Sequence, residues 1–141
     1  MPDLKATLAD ARTIAVVGCS DRPSRTSYAI ARYLQEVGYR IIPVNPNITT
    51  CHGEQAYPNL ESLPDDVQID IVDIFRNPAY TAEMVQMTAD YAEATGTKPT
   101  VWTQLGVSTN EAQRLAEEAG LPYVKDRCIM VEHRRSGSNR V

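Results

Sequence analysis

"TIAVVGCSDRPSRTSYAIARYLQEVG", residues 13–38, reads as a strand, a loop and a helix in succession. The run TIAVVG, 13–18, is short, apolar and β-branched, as a strand covered on both faces of a sheet requires. From about Thr26 the residues Ala29, Ile30, Tyr33, Leu34 and Val37 fall three or four apart, so they form one stripe of an amphipathic helix. Gly38 supplies the left-handed position that ends it. The loop between them holds one glycine, Gly18, where a dinucleotide fingerprint needs three. Ser20 and Pro23 stand in the later places, with Arg22 and Arg25 beside them.

The same alternation continues along the chain. YRIIPVNP, 39–46, predicts a second strand ending near Val44, because Pro43 and Pro46 cannot donate to a ladder. Residues 47–67 read as a polar loop with one helical turn around Asn59–Leu63. DIVDIF, 70–75, is a third strand. Asn77-Pro78 caps and opens a helix expected to run to about Ala94 and stop at Gly96. PTVWT, 99–103, is a fourth strand. Ser108-Thr-Asn-Glu111 spells a capping box for a helix with Ala112, Leu115, Ala116 and Ala119 inward and Gly120 as its stop. PYVKD, 122–126, is a short fifth strand, and Cys128–Arg134 is open between helix and strand. Alternating strands and helices without repeats predict an α/β fold: a doubly wound, mainly parallel five-stranded sheet with helices on both faces. All 141 residues are expected to form one domain, with a core at about 8–134 and a frayed tail at 135–141.

Ligands of such sheets sit beyond the carboxyl ends of the strands, so four strand ends carry the functional reading. After the first, a helix N-terminus favours an anion. Gly18 permits the tight turn, Ser20, Thr26 and Ser27 offer hydroxyls, and Arg22 and Arg25 add charge beyond what a pyrophosphate requires. The competing reading, that Ser24 or Thr26 caps the helix and the arginines are solvated, explains fewer of these features together. After the second strand, Pro43-Val44-Asn45-Pro46 contains no acid for the ribose of NAD; a rigid, apolar proline ledge suits an adenine face instead. Phe75-Arg76 sets a ring and a cation at the third end. Gln104 and Gly106 mark the fourth, where Trp102 reads as core.

Composition narrows the classes. A net charge of −4 argues against a nucleic-acid partner. No segment approaches the roughly 20 apolar residues of a membrane span, and the first residues lack a secretory pattern, so a cytoplasmic location is expected. Cys19, Cys51 and Cys128 stand far apart with only His52 and His133 to join them, so no metal site is expected and reduced thiols are. No catalytic constellation is legible, and the chain is expected not to be an enzyme. Cys19, beside a helix N-terminus, is either a thiol with a raised thiolate fraction or a small packing residue.

The ordered series GCSDRPSRTS (18–27), PVNP (43–46), DIVDIFR (70–76), WTQLG (102–106) and DRC (126–128) resembles the small stand-alone CoA-binding proteins, whose domain looks like that of the succinyl-CoA synthetase alpha subunit. The resemblance covers about residues 8–134. It implies a Rossmann-like fold that binds coenzyme A or an acyl-CoA without catalysis. Gly18, Cys19, Ser20, Arg25 and Thr26 would meet the phosphates. Pro43, Val44 and Asn45 would line the adenine site, Phe75 and Arg76 would close it, and Gln104 and Gly106 would border the pantetheine arm. The 3′-phosphate of CoA accounts for the arginines. The synthetase's phosphohistidine and ATP-binding partner have no counterpart in this length. The expected partner is thus a small CoA ligand, with a homo-oligomer left open; an NADP-binding small reductase or regulator is the alternative, and an interaction domain with a vestigial pocket a third.

Overall fold

A computed structural model describes residues 1–137. The chain runs α1 (Leu4–Asp10), β1 (Thr13–Val17), α2 (Thr26–Glu36), β2 (Arg40–Val44), β3 (Thr50–Cys51), β4 (Glu54–Gln55) and β5 (Ile71–Ile74). It continues through a 3-10 turn (Pro78–Tyr80), α3 (Thr81–Thr95), β6 (Thr100–Thr103), α4 (Asn110–Glu118), β7 (Tyr123–Val124) and α5 (Ile129–Ser136). Five strands form one sheet in the order β2-β1-β5-β6-β7, and every neighbouring pair is parallel. This is the Rossmann-like α/β fold expected from the alternation. Its strand order reverses at β1, so the switch point lies between the ends of β1 and β5.

Strand alternation divides the core into two layers. Ile14, Val16, Ile41, Ile71, Trp102 and Val124 pack with Leu8, Ile30, Leu34 and Ile129, so α1, α2 and α5 cover that face. Ala15, Val17, Val72, Ile74 and Val101 pack with Val85, Ala92, Ala112 and Ala116, which places α3 and α4 on the other. A strand buried on both faces must be apolar at every position. Asp73 breaks that rule: it is fully buried in β5 between Val16 and Trp102.

Several elements depart from their sequence reading. Helix α1 goes unread because its apolar face is only Leu4 and Leu8; Asp3 caps it by accepting from the Ala6 N–H at 3.1 Å. Pro43 lies inside β2, at the sheet edge, where a missing donor costs little. The supposed loop 47–67 contains a β3–β4 hairpin closed by His52 and Gly53, both at positive φ, and Asn59 caps a turn there without a helix. In α2 the buried stripe is Ser27, Ile30, Ala31 and Leu34, and Ala29 is exposed.

The capping residue of α4 is Thr109, not Ser108: its Oγ1 accepts from Ala112 N–H, while Ser108 Oγ pairs with Tyr123 Oη. Ala119, expected inward, is exposed because α4 ends at Glu118 and Ala119 is its C-cap. The segment left open after Cys128 is helix α5, and it takes in Arg135 and Ser136 from the expected tail. The rest of that tail, 138–141, lies outside the described residues.

Candidate functional site

The loop after β1 is shaped by its own hydrogen bonds. Gly18 turns at φ +86° and donates to Val44 O at 2.8 Å. An added Cβ there would stand 2.1 Å from the Phe75 carbonyl oxygen, so only glycine lets this loop cross the end of β5. Ser20 N–H donates to Ser27 Oγ at 3.0 Å, and Arg22 N–H donates to Ser20 Oγ at 3.0 Å. Asn45 reaches across from the end of β2, donating from Nδ2 to Cys19 O at 2.8 Å. The α2 helix then starts behind Arg25 with no side chain capping it. Its first N–H groups therefore face outward with the positive end of the helix dipole, which is the arrangement that receives an anion.

These groups line a cleft of about 700 Å³ at the carboxyl ends of the strands. Gly18, Ser20, Asp21, Arg22, Arg25 and Thr26 line it from the loop and the start of α2, and Asn45, Phe75, Arg76 and Gln104 from the other strand ends. Among the described residues, neither Arg22 nor Arg25 nor Arg76 has a carboxylate within ion-pair distance. Arg76 is held over the Tyr80 ring at 4.6 Å. Apolar side chains of Ile30, Ile48, Leu105 and Val107 complete the lining. The lining thus combines three arginines, one acid, Asp21, and apolar side chains.

The remaining candidates from the sequence sit elsewhere. Cys19 is fully buried, with its thiol packed in the α2 side of the core. Burial pushes that thiol well above its usual pKa, and Cys51 beside it adds to the effect. The expectation of a raised thiolate fraction is therefore corrected: a helix N-terminus cannot offset full desolvation. Pro43 and Val44 are buried within β2 and present no ledge; Asn47 and Ile48 line the cleft at that end instead. Gly106 forms the exposed turn between two lining residues and is outside the lining itself.

Gln104 is largely buried, and its Oε1 accepts from Ile129 N–H at 3.1 Å, so it anchors α5 as well as bordering the cleft. Ile48, Leu105 and Val107 go unread as site residues because nothing local distinguishes a lining apolar residue from a core one. Trp102 is fully buried, and its indole donates to Arg127 O at 2.8 Å.

A second hollow of about 700 Å³ lies along α3. It is lined by Glu61, Asp65 and Asp90 and by no basic side chain, so it repels a phosphorylated ligand. Neither histidine reaches the cleft. His52 Nε2 pairs with Tyr28 O, and buried His133 pairs through Nδ1 with Tyr33 Oη at 2.7 Å. No group of three metal-ligating side chains occurs among the described residues, and no described helix is long and apolar enough to cross a membrane.

Fold and cleft together define a parallel α/β protein with a cleft beside an uncapped helix N-terminus at its switch point. Comparison with known proteins makes the class specific: residues 12–134 match the CoA binding domain family, to which this chain belongs. It is 37% identical over 131 residues to YneT, an uncharacterized protein of Bacillus subtilis (strain 168), covering 93% of this chain and 92% of that one. The cell-free ID.343 structure from Thermus thermophilus superposes with a TM-score of 0.84 at 39% identity, over 94% of this chain and 96% of the other. A dinucleotide-forming acetyl-coenzyme A synthetase of Ca. Korarchaeum cryptofilum shares the fold at a TM-score of 0.69 and 24% identity; the match covers 89% of this chain and 28% of that enzyme.

Proposed function

We propose that the protein binds coenzyme A or an acyl-CoA in the switch-point cleft, non-covalently and without catalysing a reaction on it. The observation that carries this reading is the uncapped start of α2 in one cleft with Arg22, Arg25 and Arg76, all three lacking acidic partners among the described residues. A pyrophosphate fits the helix N-terminus, and a further phosphate uses the surplus cations. Membership of the CoA binding domain family supports the choice of CoA. The apolar side chains of the lining suit an adenine ring and a pantetheine arm. Both histidines are tied up away from the cleft, which supports a binder over an enzyme.

Thermal unfolding with and without CoA tests the proposal. At a hundredfold excess over its dissociation constant the ligand stabilises by about 2.7 kcal/mol, a rise of roughly 10 °C for a chain of this size. No shift with CoA or acetyl-CoA would overturn it. NADPH binding more tightly than CoA would transfer the cleft to the 2′-phosphate of that cofactor. Asn45 argues against NAD itself, because its amide is committed to Cys19 O and Asn47 N–H where a NAD site places an acid on the ribose.

A further inference from the structure

Beneath the anion loop the side chains of Cys19 and Cys51 meet in the core, Sγ to Sγ at 3.7 Å. They come from segments 32 residues apart in sequence and are buried to 0% and 4% exposure. Cys19 belongs to the loop that faces the cleft, and the Cys51 sulfur is joined to that loop from the hairpin. Cys51 Sγ donates to Ser20 O at 3.4 Å, and Cys19 O accepts from Asn45 Nδ2. Ser20 in turn holds Ser27 and Arg22 through its own N–H and hydroxyl. The position of these two sulfurs therefore sets where the loop's amides point.

We propose that Cys19 and Cys51 are a reversible redox pair, whose disulfide deforms the loop at residues 18–27 and weakens its hold on an anionic ligand. A disulfide needs its sulfurs about 2.05 Å apart, so closure brings the two sulfurs about 1.6 Å nearer, a movement shared between side-chain rotation and the loop and hairpin that carry them. It also removes the thiol hydrogen that Cys51 donates to Ser20 O. Loop amides aligned for an anion lose that alignment. The oxidant is a small-molecule disulfide of the glutathione class.

Access comes through local opening of the hairpin, whose strands β3 and β4 are two residues each; opening must also release the bonds from His52 to Gln35 and Tyr28 of α2, so it is a slow, occasional event. In the opened hairpin the Cys51 thiolate, after losing its proton to solvent, attacks the small disulfide. One protein–glutathione bond forms and one glutathione thiolate leaves. Reclosing brings Cys19 onto the Cys51 sulfur; the Cys19 proton goes to solvent and the second glutathione thiolate leaves. Two protein thiols are oxidised, one small disulfide is reduced to two thiols, and the released protons match them. In the closed state burial raises the pKa of both thiols, which keeps the reduced pair inert until the hairpin opens.

The loss of affinity rests on the CoA reading above, whereas the disulfide does not. Incubation with glutathione disulfide should remove two hydrogen atoms from the mass and join tryptic peptides 13–25 and 41–76, reversibly with dithiothreitol. Cys128→Ala should leave this linkage intact, and Cys51→Ala should abolish it. CoA should bind the oxidised protein roughly tenfold more weakly than the reduced one, an ordinary coupling between two linked states; Cys51→Ala should show no such loss. Amide hydrogen exchange over residues 18–27 reads the loop without any ligand and should speed up on oxidation. A linkage through Cys128, glutathione adducts as the end product, or an oxidised protein with unchanged loop exchange would overturn the proposal. Failure of the reduced protein to bind CoA would overturn the ligand reading alone, leaving the exchange measurement to decide the redox pair.

Discussion

Arg25 stands at the N-cap of α2, exposed and beside the helix N-terminus, so its guanidinium adds to the same field as the helix dipole. Arg25→Ala should weaken CoA by roughly tenfold, the ordinary worth of a hydrogen bond to a charged group. Titration calorimetry with CoA and dephospho-CoA assigns the phosphate: a loss confined to CoA places Arg25 on the 3′-phosphate, and equal losses place it on the pyrophosphate. Asp73 poses the opposite case, a carboxyl in the core. Neither of its oxygens has a hydrogen-bond partner among the described residues, and complete burial raises its pKa well above the usual carboxyl value. The folded chain therefore keeps a proton that the unfolded chain releases, and stability falls as pH rises above the normal carboxyl range. The slope approaches 1.4 kcal/mol per pH unit until the folded-state pKa is reached. Asp73→Asn should flatten that slope in urea unfolding between pH 5 and 8 and raise stability at pH 8; an unchanged slope refutes the argument.

Gly18 joins β1 to the loop before α2 and touches the end of β5, so it belongs to the elements more than to itself. Gly18→Ala meets both a strained φ and a carbonyl 2.1 Å away, and should cost about 3 kcal/mol or more in denaturant unfolding. A variant within 0.5 kcal/mol of wild type, the ordinary scatter of a surface change, would show that the two strand ends can separate freely. Elements with a strong pattern were legible: β1, β5 and β6 as apolar runs, and α3 up to its stop at Gly96, although Asn77-Pro78 opens the 3-10 turn that precedes it and α3 itself starts at Thr81. The weak ones were not. In α1 two leucines cannot make a period, and the β3–β4 strands are too short to alternate. At α4 two adjacent hydroxyls could cap, and the Tyr123 hydroxyl takes Ser108 and leaves the cap to Thr109; Ala119 faces outward because the helix has already ended.

For the whole molecule, charge is unevenly placed: a chain of net charge −4 gathers Arg22, Arg25 and Arg76 at one cleft. A local cationic field of that kind attracts anions over several ångströms and is screened by salt. CoA affinity should therefore fall between 0.05 and 0.5 M sodium chloride, and less steeply in Arg25→Ala; a salt-independent affinity would remove the arginines from the site. What the amino-acid sequence determined by itself was the alternation of strands and helices and the clustering of chemistry at strand ends, because periodicity, glycine and charge are local properties. Tertiary structure alone decided which of those residues face the cleft. Pro43, Val44 and Cys19 lie next to lining residues in sequence, but pleat and packing turn their side chains into the core. Leu105 is turned outward, Ile48 and Val107 line the cleft from the edge of the core, and Cys19 met Cys51 only because the hairpin folds back under the loop. A side chain's direction is set by the partners of its element, and those partners are distant in sequence.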